Sequence, residues 1–242
     1  MINILRCELI KLKRSSLIAI IIVLTLGTLF NGASVSRKLS EIDSNPDVIQ
    51  TIYDFSIGMY TLILLPTIII VTFALIMKEE RVNGGMKEMF ILPVTRIEFF
   101  VSKLIVGISL VLMSILIFGI GVVISGYLNG QDVNNESILI MFSRLIKIFL
   151  VSLGTISIQF FLGLRYENIG VSLGLGICFV LPTFLINSSE YKIMYPWSYI
   201  TAVNNSTGLD ENTLLMIAIS ILIFVVVNWI GYKIFKKEDI NL

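Results

Sequence analysis

Side chains able to do bond-making chemistry are scarce in this chain, and that scarcity is the first constraint on its function. Histidine is absent, which removes the H-E-x-x-H zinc site, the Ser-His and Cys-His nucleophile pairs and most metal clusters. The aspartates are expected in polar loops, none within a membrane-length apolar run, so the paired carboxylates of an intramembrane protease are missing as well. No G-x-x-x-x-G-K-[ST] run occurs to cradle a nucleotide. No catalytic residue and no metal ligand is expected. What remains is one long polar stretch, KEERVNGGMKEMFILPVTRIEFFVSK over residues 78–103, with clustered charges, a Gly84-Gly85 pair and Pro93. Such a stretch can dock a partner; it cannot break bonds.

The elements around that stretch are set by composition. Hydrophobic residues make up 56% and charged residues 14%, with mean hydropathy +0.92, against about 25% charged for a soluble domain. Six continuous apolar runs stand out: 15–33, 56–77, 104–125, 146–164, 170–187 and 213–232. About 20 helical residues cross about 30 Å of hydrocarbon. Runs that are apolar throughout, rather than alternating, exclude barrel strands, and backbone groups in lipid must be satisfied within each segment. The expected fold is an all-α integral membrane protein with six transmembrane helices. The first run exceeds the 7 to 15 apolar residues of a signal peptide, so it is expected to be retained.

Charge then orients the chain. Thirteen of the Lys and Arg residues flank one side of these spans and five the other, which places both termini and the 78–103 loop in the cytoplasm. Cys7 is then cytoplasmic and Cys178 mid-membrane, so they cannot pair. The net charge of +1 points to no nucleic acid.

Within the loop, Thr95 followed by Glu98 forms a capping box, so a helix starts there and runs into the third span. Pro93 closes off whatever helix precedes it. Residues 85–91 are then a separate short element with Met86, Met89 and Phe90 on one face. Spacing alone leaves two readings open, an interfacial helix lying in the headgroups or a docking element for a cytoplasmic partner. At the amino terminus, Ile2, Leu5, Leu9 and Leu12 recur at helical spacing, while Arg6, Lys11, Lys13 and Arg14 can reach anionic headgroups. Residues 1–14 are expected to form an interfacial helix.

The 79–103 run resembles the cytoplasmic coupling loop of type-2 ABC exporter permeases, where an acidic residue, a glycine, a Leu-rich turn and P-x-[ST]-R precede a lysine at the next span. By that resemblance Glu80, either Gly84 or Gly85, Pro93, Thr95, Arg96 and Lys103 occupy the family's positions, and Met86, Met89 and Phe90 are expected to contact the ATPase. "CELIKLKRSS", with Glu8, Lys11, Lys13 and Arg14, is similar to the entry helix of the same family. "YPWSYI", Tyr195 to Ile200, resembles a stretch in the permeases of lantibiotic-immunity transporters, although Tyr191, Tyr195, Trp197 and Tyr199 also fit an aromatic interface belt. The resemblance implies a single permease domain, 1–242, with no cofactor of its own, ATP and Mg being bound by separate ABC ATPase subunits. It implies a second permease chain, identical or homologous. The substrate is expected to be an amphipathic molecule, a lantibiotic-like antimicrobial peptide, expelled from a bacterial cytoplasmic membrane for self-immunity or resistance. The alternatives are export of a lipid or small drug, or a non-ABC channel or sensory membrane subunit.

Other features lie inside the spans. Pro66 and Pro182 are expected to kink the second and fifth spans. The resemblance implies that these spans border the route between two permeases, which makes Pro66, Thr67, Pro182 and Asn187, with Trp197, the candidates for a substrate pathway. Gly170 and Gly174, with Ser172 and Gly176 in the same spacing, allow close helix contact within the chain or with a second permease. Gln159 and Asn228 are expected to make structural interhelical hydrogen bonds. Arg144 and Lys147, one turn apart, are expected to snorkel to the outer surface.

Overall fold

The computed structural model describes residues 17–40, 48–82, 95–128, 135–204 and 208–237. All regular elements among them are helical. Helix α1 is Leu17–Ser40, and α2 runs from 48 to 82 through a π turn at Tyr60–Leu64. Helix α3 is Arg96–Leu128 and α4 is Asn135–Arg165. Helix α5, Ile169–Val180, is followed by the short α6, Thr183–Ile186. Two 3₁₀ turns, Glu190–Met194 and Pro196–Ser198, lead into α7, Tyr199–Asn204, and α8 is Glu211–Lys237.

Five helical stretches are long and apolar enough to cross a membrane: Ile49–Arg81, Arg96–Leu128, Asn135–Arg165, Ile169–Ile186 and Glu211–Lys237. A shorter apolar stretch, Ile18–Ser34, lies in α1. The longest have 33 residues, about 50 Å of helix, more than hydrocarbon requires. Hydropathy ends where charge begins, but helical hydrogen bonding continues past it. The observed helices therefore outrun the apolar runs 56–77 and 104–125 at both ends.

The burial gradient sorts the helices. Within their apolar windows α2 and α4 are 61% buried, against 22% for the stretch containing α5 and 17% for α8. The first two form the centre, while the last two show apolar faces outward, the pattern of lipid-facing helices. Helix α8 packs along α4, α1 packs on α2 and α3, and α5 packs on the second half of α2. Aromatic rings fill the centre: Tyr60 stacks on Phe118 at 4.3 Å, and Phe160 meets Phe100 edge-on at 4.9 Å. At the α4–α8 crossing, Ser220 Oγ donates to the Val151 carbonyl at 2.7 Å and accepts from the Gly154 amide at 2.9 Å. A Cβ at residue 154 would lie 2.9 Å from that oxygen and 3.3 Å from the Ser220 backbone. Only glycine lets the two backbones approach this closely.

Pro66 acts on α2 through the preceding turn. Proline has no N–H and its ring collides with the carbonyl four residues back. The helix widens there, the Leu65 amide bonding to the Tyr60 carbonyl in a π turn. Pro182 breaks the fifth span outright, separating α5 from α6.

Candidate functional site

The two ends of the 83–94 segment lie among charged groups of four helices. At its first end, Glu80 on α2 is ion-paired with Lys103 on α3, Nζ to Oε1 2.6 Å, each side chain about 2% exposed. The ammonium also lies 5.5 Å from the Phe99 ring centroid. Glu80, which the sequence marks as a coupling residue, is turned inward, where its carboxylate ties α2 to α3. At the second end the capping box is made as expected. The Thr95 amide and hydroxyl donate to Glu98 Oε2 at 3.1 and 3.0 Å, and the Glu98 amide donates to Thr95 Oγ1 at 3.4 Å.

The arginines reach further. Arg96 Nη1 donates to the Lys236 carbonyl at 2.6 Å, in the last turn of α8. Arg81 Nη2 donates to the carbonyls of Gly163 and Leu164 at 2.9 and 2.6 Å, and its Nη1 donates to that of Tyr166, all at the end of α4. These contacts place the ends of α2, α4 and α8 and the start of α3 together, at what we call the basic end. Nothing in the sequence identifies Arg81 beyond its place in a last helical turn, where a cation is favourable; the helix it caps is separated by more than 80 residues. Gly84, Gly85, Met86, Met89, Phe90 and Pro93, with the short helix expected at 85–91, lie outside the described residues, as do Glu8, Lys11, Lys13 and Arg14 and the interfacial helix expected at 1–14.

At the opposite end, the expected snorkelling of Arg144 and Lys147 is not what forms. Arg144 is 8% exposed and Lys147 6%. Arg144 Nη1 pairs with Asp54 Oδ1 at 3.4 Å and its guanidinium lies 5.6 Å from the Tyr53 ring centroid. Lys147 Nζ donates to the Gly208 carbonyl at 3.1 Å. Partners on α2 and in the turn before α8 hold both cations inside the protein, so they need not extend to water. Asp54, expected in a loop, sits in the first turns of α2 because the helix begins earlier than the apolar run does.

The pathway candidates divide. Pro66 is buried behind the π turn, and the half-buried Thr67 donates its hydroxyl to the Ile63 carbonyl at 2.6 Å. Trp197 is 7% exposed, stacked on Phe179 at 4.8 Å and clustered with Ile70 of α2 and Val180 of α5. It is therefore a packing residue where α2 and α5 meet, not a member of an exposed aromatic belt; Tyr191, 71% exposed, does face outward. Tyr195 donates its hydroxyl to the Phe179 carbonyl, and burial pushes its phenol above the ordinary value. Asn187 Oδ1 accepts from Thr201 Oγ1 at 2.9 Å, tying α6 to α7. Helix α7 in turn is inserted against α4, with Tyr199, Ile200 and Val203 buried and Asn204 Oδ1 accepting from the Tyr53 hydroxyl at 2.7 Å.

The small residues of α5 face two ways. Ser172 and Gly176 turn inward, where Gln159 Nε2 of α4 donates to the Ser172 carbonyl and hydroxyl at 3.1 and 3.2 Å. That is the interhelical bond expected of Gln159. Gly170 and Gly174 turn outward, and a Cβ on Gly174 would meet nothing within 4 Å. Asn228 Nδ2 instead bonds within its own helix, to the Phe224 carbonyl at 2.8 Å, so the expected cross-helix bond is not the one it makes. Among the described residues no group of three His, Cys, Asp or Glu side chains is placed to hold a metal.

Apolar membrane-length helices, polar residues tied inward at their ends and outward apolar faces on α5 and α8 define a multi-pass helical membrane protein. The model of the ABC-2 family transporter proteins matches residues 4–184. The match takes in most of the 242 residues, and the chain belongs to that family. It is thus a membrane permease subunit of an ABC exporter, a transport subunit of a kind that is generally non-catalytic, and the family implies an ABC ATPase partner. No curated protein and no solved structure matches the chain. The matched region ends before Tyr195–Ile200, so it does not bear on the lantibiotic-immunity resemblance of that stretch.

Proposed function

We propose that this permease spans the bacterial cytoplasmic membrane six times with both termini inside, and works with a separate ATPase, which binds ATP and Mg, to expel a lantibiotic-like antimicrobial peptide. The 78–103 loop docks on the ATPase. Closure of that partner on ATP supplies the difference in free energy between inward and outward states that a transport cycle requires. The observation that carries the coupling reading is the placement of both ends of this segment among ties to four helices, through Lys103–Glu80, Arg81 and Arg96. A docked partner pulling there acts on the bundle and not on a loose loop.

A peptide substrate is supported by the lipid-facing surfaces and by the meeting at Trp197 of α2, widened at Pro66, with α5, which ends before Pro182. An amphipathic peptide is already concentrated in the bilayer by its apolar face, so lateral entry needs no second desolvation. The outward Gly170–Gly174 face supports pairing with a second permease chain. Deletion of the permease with its ATPase is expected to raise sensitivity to one or a few lantibiotic-like peptides, read as killing curves across a peptide panel. Unchanged curves together with altered export of a lipid or small drug would move the assignment to a general type-2 exporter. Ion flux without ATP would make it a channel, and loss of signalling alone a sensory subunit.

A further inference from the structure

The two arginines that bracket residues 83–94 each turn away from their own helix to finish another. An α-helix leaves its last four carbonyls without intrahelical donors, at the negative end of its dipole. A guanidinium answers both needs at once, with a rigid fork of N–H groups and a charge that is never lost. Arg81 places two of its nitrogens on three carbonyls, those of Gly163, Leu164 and Tyr166. Arg96 does the same service for α8 at Lys236. Lys78, Arg165, Lys233, Lys236 and Lys237 at this end are all exposed, whereas Arg81 and Arg96 are half-buried.

We propose that Arg81 and Arg96 are positioning residues that tie α2 and α3, the helices on either side of residues 83–94, to α4 and α8, so that displacement of the first pair is passed to the second. Helices α2 and α3 follow the segment covalently and are held to each other by the Lys103–Glu80 pair. The two guanidiniums add the remaining pair, so the basic ends of α2, α3, α4 and α8 move as one unit. Arg81 reaches α4, and Arg96 reaches α8. The proposal rests on the docking reading for the origin of the movement, whereas the ties can be measured without any partner.

The test uses the full chain with Cys7→Ser and Cys178→Ser, spin-labelled in lipid at two pairs. Lys78→Cys with Glu167→Cys reports α2 against α4, and Ile97→Cys with Lys233→Cys reports α3 against α8; all four positions are exposed. Arg81→Gln is expected to cost the first pair its single narrow distance peak while leaving the second unchanged, and Arg96→Gln to do the reverse. Arg81→Lys keeps the charge but not the fork, and is expected to fall between. In the complex copurified from its native membrane, Arg81→Gln is expected to retain the ATPase subunit but lose its permease-dependent stimulation by roughly tenfold. Unchanged distances in both Gln variants, or broadening of both pairs by either one, would overturn the ties. Selective broadening with full stimulation would overturn their part in coupling. Bulky replacements at Gly84 and Gly85 that leave ATPase association and stimulation intact would instead sink the docking reading, whatever the distances show.

Discussion

Glu80 and Lys103 show that a residue's place in a polar stretch does not state which way its side chain faces. Both belong to a polar stretch read as a partner-facing loop, and both turn inward, 2.6 Å apart and about 2% exposed. Removing one partner of such a pair leaves a buried charge uncompensated and costs about 3–5 kcal/mol, whereas replacing both by apolar groups can be neutral. Lys103→Met is therefore expected to lower thermal stability in detergent sharply, with Glu80→Leu added to it restoring most of the loss. A double variant no more stable than the single one would show that the pair is not the unit. Loss of ATPase association in Glu80 variants would then reflect a displaced helix end and not a missing contact.

At the scale of elements, the capping box and the proline positions were legible because their signals are local. Thr95 and Glu98 are three residues apart, and their exchange of hydrogen bonds needs nothing from the rest of the chain. Loss of a threonine cap costs about 1 kcal/mol. Thr95→Val is expected to raise amide exchange in the first turn of α3 by roughly fivefold while leaving the turns beyond Lys103 unchanged, as read by hydrogen exchange in lipid. Uniform acceleration along α3 would mean that the box holds more than its own end. Pro66 was legible as a site of distortion but not as a π turn. The π turn begins at Tyr60, which is buried, stacked on Phe118 and hydrogen-bonded to Ser114 Oγ at 2.8 Å. Helix boundaries were underestimated because apolar runs mark the lipid and not the hydrogen bonds.

For the molecule as a whole, the uneven flanking charge predicts a topology that the arrangement of the ends can test. Arg81, Arg96, Lys236 and the end of α4 gather at one end, while Arg144, Lys147 and Gly208 gather at the other. In intact cells carrying Cys7→Ser and Cys178→Ser, a cysteine at the exposed Leu209 is expected to react with a membrane-impermeant reagent from outside. One at the exposed Glu167 is expected to react only after permeabilisation. The opposite pattern would reverse the orientation and remove the cytoplasmic docking reading with it.

The sequence by itself determined that this protein is a helical membrane bundle, where its apolar runs lie and where α3 is capped. Each of these follows from the composition of a contiguous segment in contact with lipid or with its own next turn. Tertiary structure alone decided which way the polar residues of those segments face. Gly170 and Gly174 turn outward while Ser172 and Gly176, in the same spacing, turn inward onto Gln159 and Ile70. Arg144 is held by Asp54, 90 residues away, and Arg96 by a carbonyl 140 residues away. A residue's type and periodicity state that it needs a partner in a medium that offers no water; which partner is brought within 3 Å depends on how the helices pack, and no local pattern carries that.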